Sequence, residues 1–444
     1  MVKLTNKTKK LVARDRKFLL SQPRMPYTFA ADRGDGDYAY DIEGNRFIDF
    51  SSFIGVYNMG VNSDKKVREA VKKQLDKLMH PALLEFYAEL PVDFAELLSG
   101  MMPRAGWKFF FSNSGAEANE AAIKFANLFT GRQYTMAFYN SFHGRTSGTL
   151  SLTSSKIVHR EHFGPFTNTI HVPFPYCYRC PFGQEYPGCG LACIDYIRKQ
   201  PLSKEVGPNE VAAFFAEPVQ GEGGYIVPPM DYYRELKRLL EEHGILLVSD
   251  EVQAGYMRTG KFLAMDNFGV VADIYTMAKA IGAGLPLGAT ITRASLGDIP
   301  PGAHANTYGG NLAVMAGAFE QLKGVRANRA KLESEIKSKG AFALKRLAEM
   351  REKYQIVGDA RGIGLMLAIE LVKDKKGKEP AVHERELILK DAFDNGLILL
   401  GAGQSAIRLV PPVTISHENL AKGLDILEQS VKRANAETLK GRSR

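Results

Sequence analysis

Seven short apolar runs recur between residues 109 and 294, and helical segments separate several of them. The runs are 109–111 (FFF), 135–140 (TMAFYN), 167–174 (TNTIHVPF), 212–219 (AAFFAEPV), 245–250 (ILLVSD), 274–278 (IYTMA) and 289–294 (ATITRA). Runs this short and apolar, alternating with helices, favour a mostly parallel sheet covered on both faces. Such sheets place ligands beyond the carboxyl ends of their strands. The residues at those ends are therefore the first place to look for chemistry.

The flanks have a different rhythm. Residues 5–20 read as a short helix, and 37–49 as a hairpin around Glu43-Gly44-Asn45. Residues 64–79 carry Val67, Val71, Leu75 and Leu78 at helical spacing, which predicts a helix with one buried face. Beyond about 312 come a long helix (312–351), a strand (363–371), a charged loop (373–378) and a helix (383–394). Strands at 397–400 and 406–410 and a final helix at 417–435 complete the chain. The expected layout is α/β. Residues 61–315 form a large domain, 316–444 a smaller α+β lobe, and the N-terminal segment 1–60 contributes to that lobe.

Charge narrows the range of partners. The net charge of +9 is concentrated at the ends. Residues 1–24 hold Lys3, Lys7, Lys9, Lys10, Arg14, Arg16, Lys17 and Arg24 against Asp15, a net +7. Residues 432–444 hold Lys432, Arg433, Lys440, Arg442 and Arg444 against Glu437, a net +4, so the body carries −2. Nucleic-acid binding calls for a basic face on the fold, and basic ends on a near-neutral body argue against it. No apolar run approaches the ~18 residues of a membrane span, and no basic-then-apolar signal opens the sequence. The expected setting is the cytoplasm, without a membrane or nucleic-acid partner.

Four strand ends carry unusual residues. FFFSNSGAEANEAAIKFA (109–126) runs from a strand through Ser112–Gly115 into a helix, exposing amides that suit a phosphate. ILLVSDEVQAG (245–255) puts an acid, Asp250, at the end of an apolar strand, where a carboxylate is costly unless paired. ADIYTMAKAIGAGLPLGA (272–289) sets Lys279 among apolar neighbours, which lower an amine's pKa and make it a usable nucleophile. AAFFAEPVQGEGG (212–224) places Glu217 and Glu222 around a glycine-rich loop. Taken singly, each has a plain structural explanation, such as an N-cap, a turn-capping acid or a snorkelling lysine. Together they supply what pyridoxal phosphate needs: a phosphate cradle, an acid for the ring nitrogen and an amine for the aldehyde.

Seven motifs in order, over about residues 25–435, resemble the class III aminotransferases. They are NSGAEA (113–118), SFHGRT (141–146), EPVQGEGG (217–224), SDEVQAGYMRTGKF (249–262), AKAIGAGLPLGA (278–289), NTYGGN (306–311) and IRLVPP (407–412). Within the family the chain looks most like the 4-aminobutyrate aminotransferases. The resemblance implies a pyridoxal-phosphate-dependent transferase of fold type I, the aspartate-aminotransferase-like fold. It also implies a homodimer with shared active sites, or a pair of such dimers, acting on amino acids and 2-oxo acids.

Residue roles follow from the same resemblance. Lys279 matches the Schiff-base lysine, Asp250 the partner of the pyridinium nitrogen, and Gln253 the group at the phenolic oxygen. With Glu217, Lys279 and Asp250 make the expected catalytic set. Val252 and Phe142 match the two groups flanking the ring, with His143 beside them. Ser114, Gly115 and Ala116 match the phosphate loop, and Thr307 the threonine that reaches a neighbouring subunit's phosphate. Arg145 matches the receptor of a distal carboxylate. Arg408 matches the receptor of an α-carboxylate, which Glu222 can neutralise so that an ω-amine enters. Ile54 stands where the ornithine enzymes carry a tyrosine, an argument against ornithine. GVNSD (60–64) and Ala254 depart from the family pattern, the first near the substrate entrance. The favoured activity is transfer of an amino group from an ω-amino acid to 2-oxoglutarate. The alternatives are an α-amino-acid racemase on the same scaffold and an ornithine-type δ-aminotransferase.

All four cysteines, Cys177, Cys180, Cys189 and Cys193, fall within CYRCPFGQEYPGCGLAC. This spacing suits disulfides, a zinc or cluster site, or free thiols. None of the three readings bears on catalysis.

Overall fold

A computed structural model describes residues 5–20 and 25–442. Lys3, Arg24 and Arg444 of the basic ends lie outside the described residues. The chain divides into two compact units, residues 1–63 with 334–444, and residues 64–333. Among the described residues no helix is long and apolar enough to cross a membrane.

The first unit opens with the helix Asn6–Phe18, which Thr5 caps by accepting from the Lys7 amide. Strands β1 (Ala31–Asp35), β2 (Tyr38–Asp41) and β3 (Arg46–Asp49) follow. β2 and β3 form the expected hairpin. Asp41 Oδ1 accepts from the amides of Glu43 and Asn45 at 3.0 and 2.8 Å, which closes the turn. After β3 the backbone enters the left-handed region at Ser52, Phe53 and Ile54, with φ of 45°, 49° and 67°. Left-handed backbone costs roughly 1–2 kcal/mol per L-residue, so neighbouring bonds must hold it. Asp49 Oδ1 accepts from the Ser51 amide at 2.7 Å and its hydroxyl at 2.5 Å. The Ser52 hydroxyl donates to the Val410 carbonyl at 2.6 Å, and Gly55 N–H donates to Ser51 O at 2.9 Å.

The second unit holds β4 (Trp107–Ser112), β5 (Tyr134–Phe138), β6 (Thr169–Val172), β7 (Val211–Ala216), β8 (Leu246–Asp250), β9 (Ile274–Met277) and β10 (Gly288–Arg293). All seven apolar runs are thus strands of one sheet, in the order β4-β10-β9-β8-β7-β5-β6. β10 runs antiparallel to both its neighbours, and the strands from β9 to β6 pair in parallel. Every residue of β7, β8 and β9 is buried, as a sheet covered on both faces requires. The helix Gly115–Thr130 presents Ala118, Asn119, Ala121, Ala122 and Ala126 inward. These small side chains let it lie close to the strands. It ends at Gly131, whose φ of 68° is the left-handed C-terminal stop that glycine adopts without strain. The helix Tyr232–Glu242 buries Tyr232, Tyr233, Leu236, Leu239 and Leu240, one stripe at helical spacing. Each such large apolar side chain contributes about 1.5–3 kcal/mol on burial.

Two expectations about helices are corrected. The helix Lys65–Lys77 forms, but none of its residues is buried. Val67 and Val71 lie beside Gly317, whereas Leu75 and Leu78 are 46% and 49% exposed. The apolar stripe runs past the surface its own unit offers, into exposed Met79, Leu84, Phe86, Tyr87 and Val92. The long helix is two helices, Leu312–Ala327 and Arg329–Lys353. Asn328 breaks it: its backbone leaves the helical region at φ −110° and ψ 14°, and its side-chain amide donates to Gly324 O, competing with the backbone ladder bond there.

The rest of the first unit adds β11 (Val357–Ile363), β12 (Met366–Leu371), β13 (Leu397–Ile398), β14 (Leu400–Ala402) and β15 (Ala406–Leu409). The single strand expected at 363–371 is instead the turn and second arm of a hairpin. Gly364, with φ of 58°, makes the turn that an alternation count reads through. β13 pairs in parallel with β3, and β11-β12-β15-β14 form an antiparallel sheet. The helices Val382–Asp394 and His417–Arg442 complete the unit.

Candidate active site

Within the second unit, four strand-end segments converge on Asp250, the last residue of β8. Its carboxylate is 3% exposed and has three partners. Oδ2 accepts from Asn119 Nδ2 at 2.8 Å and stands 2.7 Å from His143 Nδ1. Oδ1 accepts from the Val252 amide at 3.0 Å. Asn119 is itself fixed: Nδ2 also donates to His143 O, and Oδ1 accepts from the Thr276 hydroxyl, both at 2.8 Å. A buried carboxylate is tolerable only with such a set of donors, and the set fixes the plane of the group.

Glu217 lies just past β7. Its oxygens accept from the Phe142 amide at 2.9 Å and the Gly221 amide at 2.8 Å. Burial pushes its carboxyl up to about 7, with nearby His143 pulling down and Asp250 pushing up. Glu217 thereby ties the Phe142–His143 segment to the glycine-rich loop. A Cβ on Gly221 would stand 2.5 Å from Gln253 Oε1, so a larger residue there would displace the Gln253 side chain.

Ser114 caps the helix Gly115–Thr130, accepting from the Glu117 amide at 3.2 Å, while its carbonyl accepts from Ala118 at 3.0 Å. The first-turn amides of Gly115 and Ala116 have no acceptor within the helix and point out of its end. A Cβ on Gly115 would meet Val252 Cγ1 at 2.9 Å and Ala278 Cβ at 3.6 Å. The phosphate-type loop, the residue after β8 and the residue before Lys279 therefore meet at Gly115. Lys279 is half-buried beside buried Ala278, Ala280 and Ile281. Its φ of 50° is strained for a lysine, a condition common at working sites.

Other predicted residues lie further out. Phe142 is half-buried and Arg145 exposed, with its guanidinium 5.7 Å from the Phe142 ring centre and 3.4 Å from His159 Nε2. Glu222 pairs with Lys156 at 3.3 Å, a partner the sequence did not suggest. Thr307 is exposed, and its carbonyl is bonded by His80. Ile54 and Arg408 belong to the first unit. Arg408 lies in β15 and is 6% exposed, whereas Ile54 is 47% exposed on the left-handed turn. That turn is bonded to Val410, two residues beyond Arg408. The four cysteines are free thiols lining one small pocket with Phe182, Tyr186 and Pro229. Among the described residues, no group of three or more His, Cys, Asp or Glu could hold a metal ion.

Sequence reasoning missed Asn119 and Thr276. A signal for Asn119 was present: it is the polar member of an otherwise apolar buried stripe, Ala118 to Ala126. The residues that meet in the second unit fit pyridoxal phosphate. Two buried polar atoms, His143 Nε2 and Gln253 Oε1, have no hydrogen-bond partner among the described residues. The anion cradle is kept narrow by a glycine that a Cβ would overfill.

Comparison with known proteins agrees with this geometry. The family model described as "Aminotransferase class-III" matches residues 20–431. A leucine/methionine racemase of Thermococcus litoralis is 40% identical over 393 residues, 88% of each chain. A probable 4-aminobutyrate aminotransferase of Bacillus subtilis is 38% identical over 407 residues, 90% of this chain and 92% of that one. Among solved structures, a pyridoxal-phosphate-bound amine transaminase from an uncultivated Pseudomonas species superposes with a TM-score of 0.85. It is 31% identical, with 94% of this chain and 98% of that one covered.

Proposed function

The chain belongs to the class III aminotransferases, pyridoxal-phosphate enzymes of fold type I, and on that premise we propose that it moves an amino group from an ω-amino acid such as 4-aminobutyrate to 2-oxoglutarate. The observation that carries this reading is Arg145. Its guanidinium stands over Phe142 and has no carboxylate partner among the described residues. Such a group is matched to a carboxylate, which it grips in a bidentate fork.

When bound, pyridoxal phosphate supplies an electron sink for negative charge developing at the substrate carbon. The chain's own residues do the rest. Asp250, oriented by Asn119 and His143, would hold the proton on the ring nitrogen. Ser114, Gly115 and Ala116 hold the phosphate. Gln253 would hydrogen-bond the phenolic oxygen, and Val252 and Phe142 would flank the ring. Glu217 is a positioning residue that fixes Phe142 against the glycine-rich loop. The Lys279 amine would hold the cofactor's aldehyde and, once freed, would carry a proton away from the substrate carbon. Arg145 receives the distal carboxylate. Arg408, in the first unit, would receive an α-carboxylate. The exposed apolar stripe from Leu75 to Val92 supports assembly as a homodimer, in which Thr307 serves the neighbouring subunit's phosphate.

A second reading, racemisation of α-amino acids, is supported by the Thermococcus litoralis relative. One experiment separates the two. The holoenzyme is incubated with a panel of amino acids, with and without 2-oxoglutarate, and the products are resolved by chiral chromatography. Transamination predicts consumption of 4-aminobutyrate only when 2-oxoglutarate is present. Loss of chirality in leucine or methionine without any oxo acid would overturn it.

A further inference from the structure

A second polar cavity lies at the opposite end of the same strands. It encloses about 550 Å³ and is bordered by the residues just before β4 and β9, the end of β10, and one face of the helix Tyr232–Glu242. Because β10 runs antiparallel, its last residue, Arg293, pairs with Trp107, the first of β4. Arg234, Lys237, Arg238 and Glu241 follow one another at helical spacing and present one face to the cavity. Arg104, on a left-handed turn at φ 66°, closes another side.

The lining contains five cations, Arg104, Arg234, Lys237, Arg238 and Arg293, and two anions, Glu241 and Asp273. Without its ends the chain carries −2, so this concentration runs against the average of the body. Asp273 is 2% exposed and committed to the floor. It accepts from Lys237 Nζ at 2.8 and 2.9 Å and from the Leu247 amide at 2.7 Å, and it pairs with Arg293 Nη2 at 2.7 Å. Arg238 is paired with Glu235. Arg104 and Arg234 are exposed and, among the described residues, have no hydrogen bond or ion pair. Arg293 Nε is buried without a partner. Two uncommitted guanidinium groups and an orphaned third donor at one roomy concavity make a receptor, since guanidinium forks match adjacent oxyanions. The volume suits a small organic molecule.

We propose that this cavity is a binding site for a small polyanion carrying two or more adjacent phosphoryl or carboxyl groups, separate from the catalytic end. Arg104 and Arg234 are its primary contacts, and Arg293 is anchored beneath them by Asp273. The site stands at the start of β9, about 20 Å of extended chain from Lys279 at ~3.3 Å per residue. Asp273 also bonds the Leu247 amide of β8, the strand that leads to Asp250.

Calorimetric titration of the holoenzyme tests this, because the catalytic phosphate cradle is then filled. The probes are pyrophosphate, adenosine diphosphate, citrate and inorganic phosphate. Expected is saturable binding of at least one polyanion at one site per chain, with inorganic phosphate weaker. Preference for pyrophosphate or the nucleotide identifies a phosphoryl ligand, and preference for citrate a carboxylate one. The double variant R104A/R234A weakens binding by about tenfold or more per arginine, with the cofactor spectrum and transamination rate unchanged. If that variant folds poorly, the single variant R234Q, on an exposed helix face, serves in its place. Absence of saturable binding by every polyanion, or equal affinity in the folded variant and the parent, would overturn the proposal.

Discussion

Asn119 Nδ2 donates to Asp250 Oδ2 at 2.8 Å from a helix 131 residues earlier in the chain. The bond gives the buried Asp250 carboxylate one of its few donors. Asn119→Ala removes that donor and strands the Thr276 hydroxyl, which costs about 1–3 kcal/mol. We expect weaker cofactor binding and roughly tenfold lower turnover. Asn119→Asp, which sets a second carboxylate against Asp250, is expected to be worse. Spectral titration with pyridoxal phosphate checks both, and equal behaviour of the two variants would show that Asp250 does not sense position 119.

Burial raises the carboxyls of Glu217 and Glu251 to about 7 from an ordinary 4.5. Between those values the folded chain keeps protons that the unfolded chain has released. Stability therefore falls as pH rises from about 4.5 to about 7 and levels off above that. Each group contributes on the order of 3 kcal/mol to the fall. Melting of the holoenzyme between pH 5 and 8 reads it. Glu251→Gln should flatten the slope and lower the melting temperature throughout, since its amide opposes the Ala264 and Met265 N–H groups that Glu251 now accepts.

Arg145→Ala should raise KM for 4-aminobutyrate and 2-oxoglutarate by roughly tenfold to a hundredfold. Amine donors without a distal carboxylate should be little affected as first substrates. Steady-state kinetics with paired donors measure the split. A uniform loss across donors would assign Arg145 a structural role instead.

Burial pushes the Cys193 thiol up to about 12 and raises that of exposed Cys177 as well. The reactive thiolate is scarce in both. Labelling of the folded protein at pH 8 should be slow, with Cys193 the slower of the two. All four cysteines should react after unfolding without reductant. A native mass two protons lighter per pair would reveal disulfides.

How much of this was legible depends on the range of the interactions concerned. The seven strands were, because burial on both faces leaves an apolar run that needs no partner to be recognised. Ser114, Asp250 and Lys279 stood out as polar groups at strand ends, and the structure brings the segments that carry them together at Gly115. Asn119 was passed over because its role depends on contacts to β8 and β9, more than 130 residues on. The stripe at Val67 to Leu78 was read correctly as amphipathic, but periodicity does not say whether the covering surface belongs to the same unit. Asn328 and Gly364 interrupt a helix and a strand through local bonding and a positive φ, which apolar spacing does not register.

The left-handed turn at Ser52–Ile54 separates two duties that a binding loop usually mixes. Asp49, Ser51 and Ser52 hold its shape, through bonds that involve no atom of the Ile54 side chain. That side chain is only cargo. Evolution can exchange what stands at position 54 while the scaffold beneath it keeps its form. Changes there can accumulate one substitution at a time, without a period in which the lobe must refold around them.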